Sequence, residues 1–350
     1  MDQPPTPPPA EVPERYSRQA RFWAVGAAGQ ARLGAARVAV IGCGALGSAA
    51  VDLLARAGVG ELVIVDRDFV ELSNLQRQVL FDEADAAAQL PKAVAAANAV
   101  RRINSGVKVH PLIADVTPAN VEGILAGAAV VIDGTDNFET RYLVNDACVK
   151  HGLPWVYGGA IGATGMVMPI LPGETPCLRC VFPGGQAAGA VATCETAGVV
   201  GAIVTLVAAV QWAEAVKILL GDREHLARGL ATFDLWSNHY LLATGFPRLP
   251  DCPCCGQRRF DYLEARATSQ TTTLCGRDAV QVSPGRPVQL DLPELGRRLA
   301  AAGGVTTSPY LVRLALAAHE LTVFADGRAI VKGTSDLGVA RSLYARYVGA

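Results

Sequence analysis

The chain carries no block of like charge. Its 31 Lys and Arg stand against 32 Asp and Glu, for a net charge of −1. A protein built mainly to hold nucleic acid shows a basic stripe, so direct nucleic-acid binding is not expected. Long apolar runs are also missing. The longest, Ala197 to Val210, covers 14 residues before Gln211, Glu214 and Lys217 interrupt it, short of the roughly 20 that cross a bilayer. It reads as a buried helix, and no membrane is expected. The N-terminus lacks both a basic and an apolar leader segment; residues 1–14 are Pro-rich and predict a disordered tail on a cytoplasmic protein. Histidine is scarce, and His110, His151, His225, His239 and His319 stand in no nucleophile motif. Serine-hydrolase and paired-carboxylate chemistry therefore find no support.

Short β-branched runs alternate with alanine-rich stretches from Arg37 onward. Val38–Ile41, Leu62–Val65, Val107–His110, Val130–Asp133, Trp155–Tyr157 and Met166–Ile170 read as strands. Leu46–Ala57, Pro91–Ile103, Glu139–His151 and Gly201–Leu219 read as helices. This order predicts an α/β fold: a Rossmann-like, doubly wound, mostly parallel sheet with ligands at the carboxyl ends of its strands. Residues 15–262 would form that domain, 263–273 a linker, and 274–350 a small C-terminal α/β domain. The last shows an N-capped helix from Asp291, a hairpin over Leu321–Val331 turning at Asp326-Gly327, and a closing helix over Ser335–Tyr347. It shows no catalytic constellation.

Between the first strand and first helix lies Gly42-Cys43-Gly44-Ala45-Leu46-Gly47. This spacing turns backbone N–H groups and a helix N-terminus toward a phosphate: Gly42 for the tight turn, Gly44 for close ligand approach, Gly47 for helix packing. Asp66 ends the second strand, 19 residues beyond Gly47, where an acid accepts ribose hydroxyls. Alone, these features suit a dinucleotide. Asn74, Arg77 and Gln78 follow the second strand, however, and Lys92 opens a helix. A redox site has no use for these cations, whereas cleavage of a triphosphate accumulates charge that Arg and Lys stabilise. Asp133 and Asp136 follow another strand, and Asp136 could hold Mg²⁺.

The nine cysteines are an odd number, against a disulfide framework. Cys177-Leu178-Arg179-Cys180 and Cys252-Pro253-Cys254-Cys255 form two C-x-x-C pairs, the pattern of a closed structural Zn²⁺ site that ties distant segments together. Cys275 reads as a packing cysteine.

The ordered set Arg15-Tyr16-Ser17-Arg18-Gln19, the glycine loop, Asp66, Ser73 to Gln78, Pro91-Lys92, Thr135-Asp136-Asn137 and both C-x-x-C pairs resembles the MoeB/ThiF/HesA family, ubiquitin-activating-type adenylyltransferases of sulfur-carrier proteins. The resemblance implies ATP-dependent adenylation of the C-terminal glycine of a ubiquitin-like carrier ending in Gly-Gly, with release of pyrophosphate, for thiamine, molybdopterin or tRNA-thiolation pathways. It implies ribose binding by Asp66, phosphate binding by Asn74, Arg77 and Lys92, Mg²⁺ at Asp136, and a homodimer in which Arg18 completes the partner's site. Cys194, in a small-residue stretch, matches a cysteine that forms a covalent link to the activated carrier in some members. The sulfur would come from a cysteine desulfurase or another donor. Two departures stand out: the segment between Arg77 and Lys92 is slightly longer than in MoeB, and no rhodanese cysteine loop is present, so no intrinsic sulfurtransferase is expected. The competing readings are an NAD(P)-dependent oxidoreductase, a carboxylate-activating tRNA dehydratase of the same superfamily, and a partner subunit without activity.

Overall fold

A computed structural model describes residues 12–183, 198–264, 272–274, 278–283 and 288–348. They fall into two compact units divided near Arg266.

The first unit is built on eight strands: β1 Arg37–Ile41, β2 Glu61–Val65, β3 Lys108–Leu112, β4 Val130–Asp133, β5 Trp155–Ile161, β6 Thr164–Ile170, β7 Gly229–Asp234 and β8 His239–Thr244. Their order in the sheet is β3-β2-β1-β4-β5-β6-β7-β8. The half from β3 to β5 is parallel, with Val38 beside Leu62 and Val130; β5 to β8 form an antiparallel meander. The parallel half matches the strands expected from the sequence, whereas β7 and β8 have no counterpart among them. Strand order reverses at β1, between β2 and β4, which opens a crevice at their carboxyl ends.

Helices cover both faces. They are α1 Gly26–Ala35, α2 Ala45–Ala57, α3 Glu83–Ala87, α4 Lys92–Ile103, α5 Val121–Leu125, α6 Phe138–His151, α7 Leu178–Val181 and α8 Gly201–Leu220. On one face, Leu54, Ala96, Val100, Ile203 and Val207 bury against Val38, Val40, Leu62 and Ile64. On the other, Leu143, Ala147 and Trp155 pack with Ile41, Val63 and Val131. Each fully buried Val, Ile or Leu side chain contributes about 1.5–3 kcal/mol. Alanine dominates α2 and α4 because a small side chain lets the helix lie close to a strand. α8 is long and apolar enough to cross a membrane by length and composition, yet it packs against the sheet in this core. Its buried Gln211 is not a flaw: Nε2 donates to the carbonyls of Asp133 (2.8 Å) and Val156 (3.1 Å), bridging the ends of β4 and β5.

The second unit has a six-stranded antiparallel sheet ordered β11-β12-β13-β14-β10-β9. Its strands are β9 Thr272–Leu274, β10 Ala279–Val282, β11 Gly304–Thr307, β12 Leu311–Ala315, β13 Glu320–Phe324 and β14 Ala329–Lys332, with helices α9 Leu292–Leu299 and α10 Leu337–Tyr347. Alternate residues Val280, Val312, Leu321, Val323 and Val331 meet Leu292, Leu295 and Tyr344 in a separate core. Asp291 caps α9 through the Glu294 N–H, and the β13–β14 turn uses Gly327 at φ 82°. Thr272 and Thr273, expected from sequence to end the linker, instead pair with β10 as part of β9.

Candidate functional site

Two of the three loop glycines are fixed by sterics. Gly42 has φ 84°, and a Cβ there would lie 2.6 Å from the Gly134 carbonyl oxygen; a Cβ on Gly47 would lie 1.9 Å from that of Gly42. Gly44 differs, since its Cβ would meet only the Gln78 amide at 3.9 Å. The space beside Gly44 is therefore open. α2 begins there with no side-chain cap, so its first N–H groups face the crevice. Gln78 is buried, and its Oε1 has no partner among the described residues. An open cradle and uncapped helix donors suit phosphate oxygens, while the orphaned amide oxygen calls for a donor such as a hydroxyl or amino group.

Asp66 accepts the Cys43 N–H at 2.6 Å and the Asp68 N–H at 2.7 Å, one through each carboxylate oxygen. It braces the glycine loop, and each oxygen keeps a lone pair for a hydroxyl donor. Burial pushes its pKa above the usual carboxylate range, with Lys92 opposing and Asp68 adding to the rise. Lys92 reaches this spot because Phe69 and Pro91 pair and the Lys92 N–H donates to the Asp68 carbonyl at 2.9 Å. That bridge fixes Lys92 however long the segment between Arg77 and Lys92 is. Its Nζ lies 3.2 Å from Asp68 Oδ2, buried beneath the crevice floor. Asp68 carried no role in the sequence reading. Asn74 is buried and closes a turn by accepting the Glu71 N–H at 3.1 Å. Arg77 stands half-buried on the rim, one N–H of its guanidinium on the Ser73 carbonyl at 2.9 Å.

After β4 the two acids separate. Asp133 is buried and committed: it accepts the Thr135 hydroxyl at 2.7 Å and pairs with Arg141 Nε at 3.2 Å. Burial raises its pKa, and Arg141 opposes the rise. Asp136 is exposed at the mouth, with Asn137 Nδ2 on Oδ1 at 3.2 Å. Asn137 meanwhile caps α6 through the Thr140 N–H at 2.9 Å. Of the two, Asp136 is the carboxylate available to a cation. Arg67, also missed in the sequence, pairs with Asp115 at 3.1 Å. Burial would lower its pKa, but Asp115, Asp68, Asp136 and Asp66 together raise it.

Arg18 is not in its own chain's crevice. Gln19 Nε2 donates to the Ala57 carbonyl at 3.0 Å, and the Tyr16 hydroxyl accepts from Asn104 Nδ2 at 2.7 Å. Both anchors sit at the C-terminal ends of α2 and α4, about 18 Å from the glycine loop at 1.5 Å per residue. Arg18 is left exposed there. Cys194 and Cys275 lie outside the described residues.

The Sγ atoms of Cys177, Cys180, Cys252 and Cys255 all lie within 4.8 Å of one another. Measured pairs are 4.0, 3.7 and 3.3 Å. Sulfurs at 2.3 Å from a tetrahedral ion stand about 3.8 Å apart, so this donor set fits Zn²⁺. The motif leaves Cys254 outside the cluster, where it accepts Asn145 Nδ2 at 3.2 Å. Buried Asn145 and Asp146 on α6 also hold the Leu178 and Tyr262 N–H groups at 2.9 Å. Those polar braces explain why α6 shows no apolar stripe.

A glycine loop at the switch point of a doubly wound sheet, facing cations and an exposed acid, defines a nucleotide-binding α/β protein. The ThiF family model matches residues 16–254, and the chain belongs to the ThiF family. ATP use follows from that membership. The chain is 42% identical over 337 residues to the sulfur carrier protein ThiS adenylyltransferase of Bacillus subtilis, covering 96% of this chain and 99% of that protein. It is 43% identical over 251 residues to the SAMP-activating enzyme E1 of Haloferax volcanii, covering 72% and 92% respectively. Among solved structures, E. coli MccB with ATP superposes with a TM-score of 0.62 at 22% identity, over 69% of this chain and 75% of that one, a likeness of fold.

Proposed function

We propose that this protein uses ATP to adenylate the C-terminal glycine carboxylate of a ubiquitin-like sulfur carrier. The observation that carries the reading is the convergence, at one sheet switch point, of the open space beside Gly44 and Gln78, the acid Asp66 bound to the loop, and Lys92 on Asp68, with Arg77 adjoining Gln78 in the chain. The relatives named for carrier activation support the same reaction, and the oxidoreductase and tRNA dehydratase readings have no comparable support.

A carboxylate is ionised at neutral pH, so the attack on the α-phosphorus requires no catalytic base. The new bond joins the carrier's terminal oxygen to that phosphorus; the bond to the bridging oxygen breaks, and pyrophosphate leaves with the electron pair. The chain's task is alignment and neutralisation. N–H groups of the glycine loop and α2 hold phosphate oxygens, Asp66 holds the ribose, and Asn74 and Gln78 shape the floor. Arg77 and Lys92 offset the charge that grows on the leaving group. Mg²⁺ held by Asp136 would supply further charge neutralisation. Arg18, remote from its own crevice, serves the neighbouring protomer of a homodimer. Zn²⁺ on the four thiolates is structural, since no coordination position remains open. The site of action is the cytoplasm.

ATP–pyrophosphate exchange tests the reading. With a carrier ending in Gly-Gly the exchange should run; without carrier, or with a carrier lacking the terminal glycine, it should stop. No exchange with any thiamine-, molybdopterin- or tRNA-pathway carrier, together with tight NAD binding, would overturn it.

A further inference from the structure

α6 starts in the nucleotide crevice and runs for 14 residues to His151, where Gly152 reverses the chain at φ 67°. Its far end is therefore about 20 Å from the crevice. There the first unit has a solvent-open depression of about 320 Å³, formed by the exposed Lys150 and His151, the turn at Gly173, Cys255, and the exposed Arg248 and Arg258 of the cysteine segment. No acidic side chain lines it.

The cations are unevenly compensated. Lys150 and His151 share one carboxylate, Glu122, at 2.8 and 2.5 Å. Neither arginine has an acidic partner among the described residues. Arg248 donates to the carbonyls of Gly173 (2.8 Å) and Cys255 (3.4 Å), and Arg258 to the carbonyl of Lys150 (3.3 Å). A guanidinium has five donors, so each keeps several for a ligand while the carbonyls hold it in place. The α6 C-terminus supplies only about half a negative charge, leaving a positive surplus. Arg258 also occupies left-handed backbone, φ 53°, and its guanidinium lies over the Phe260 ring at 5.6 Å.

The geometry points to a second anion site, separate from the nucleotide crevice, that binds a multiply charged phosphate through Arg248 and Arg258 with Lys150 at its edge. Two preorganised forks suit an oxyanion bidentately, and the depression has room for a diphosphate. The site does not depend on the adenylation reading.

Pyrophosphate is the probe. With the crevice saturated by a non-hydrolysable ATP analogue and Mg²⁺, equilibrium dialysis of the full chain should show one further pyrophosphate bound per chain. Arg248→Gln and Arg258→Gln should each weaken this at least tenfold, and added salt should weaken it in the wild type; melting temperature and metal content verify the fold of each variant. Citrate, a polycarboxylate of similar charge, should bind more weakly. The wild-type stoichiometry decides even where a variant misfolds: no pyrophosphate beyond the blocked crevice overturns the site. Binding that both folded variants retain, or citrate binding more tightly than pyrophosphate, overturns the assignment as well.

Discussion

The crevice and the cysteine cluster lie along the same helix and are organised in opposite ways. At the start of α6, groups are held in place but not used up: Gln78 Oε1 is orphaned, Arg77 leans on a carbonyl, and Asp136 stands at the surface. In its middle, Asn145 and Asp146 brace the segments that carry the cysteines, holding the Leu178 and Tyr262 N–H groups and the Cys254 thiol beside four converging sulfurs. A reaction needs groups held back from one another until substrate arrives. A structural site gains by closing completely.

Substitutions can break that contrast. The largest effect is expected at Cys177→Ser, which should release the metal and lower stability by on the order of 4 kcal/mol; metal analysis and denaturant unfolding read it. Unchanged stoichiometry would remove the structural-metal assignment. Arg77→Ala should do the reverse. Its unfolding midpoint should barely move, while carrier-dependent exchange falls by about 3 kcal/mol of transition-state stabilisation. A normal exchange rate in that variant contradicts the role given to Arg77.

A smaller effect tests Asp66. Burial holds its carboxyl above the ordinary value, so the folded chain favours the protonated form: this contribution to stability is present below the ordinary carboxylate pKa and is lost as pH rises through the raised one. Ribose binding needs the ionised form. On acidification, kcat/KM for ATP should therefore begin to fall at a higher pH than an ordinary aspartate would give, and Asp66→Asn should remove that limb while weakening ATP binding about tenfold. A pH profile identical in the variant would contradict the assignment. The smallest effect on stability belongs to Gly44→Ala, whose Cβ enters open space, whereas Gly47→Ala drives a Cβ into the Gly42 carbonyl. The first should fold normally and bind ATP poorly; the second should unfold at markedly lower denaturant.

The parallel half of the sheet was legible because β1, β2 and β4 are buried on both faces and read as continuous β-branched runs. β8 was not: Tyr240, Leu241 and Leu242 are consecutive and all exposed, so no alternation marks them. Thr272–Leu274 hid in a Ser/Thr-rich stretch whose strand character comes from pairing with β10. At the site, glycine spacing and C-x-x-C pairs are local signals and could be read. Asp68, Arg67, Arg141 and Gln211 act through partners brought together by folding. Arg141 lies one turn after the Asn137 cap, where a charged residue facing the end of its own preceding strand is the sole hint. Arg18 was marked by motif alone, and its placement remote from its own crevice emerges from the anchors at Gln19 and Tyr16.

The most direct test is a crystal structure with Mg²⁺ and a non-hydrolysable ATP analogue. The triphosphate should lie over Gly44, with the Arg77 and Lys92 side chains within hydrogen-bonding distance of its oxygens and the ribose on Asp66. A nucleotide bound elsewhere, or those two cations turned away from its phosphates, would contradict it.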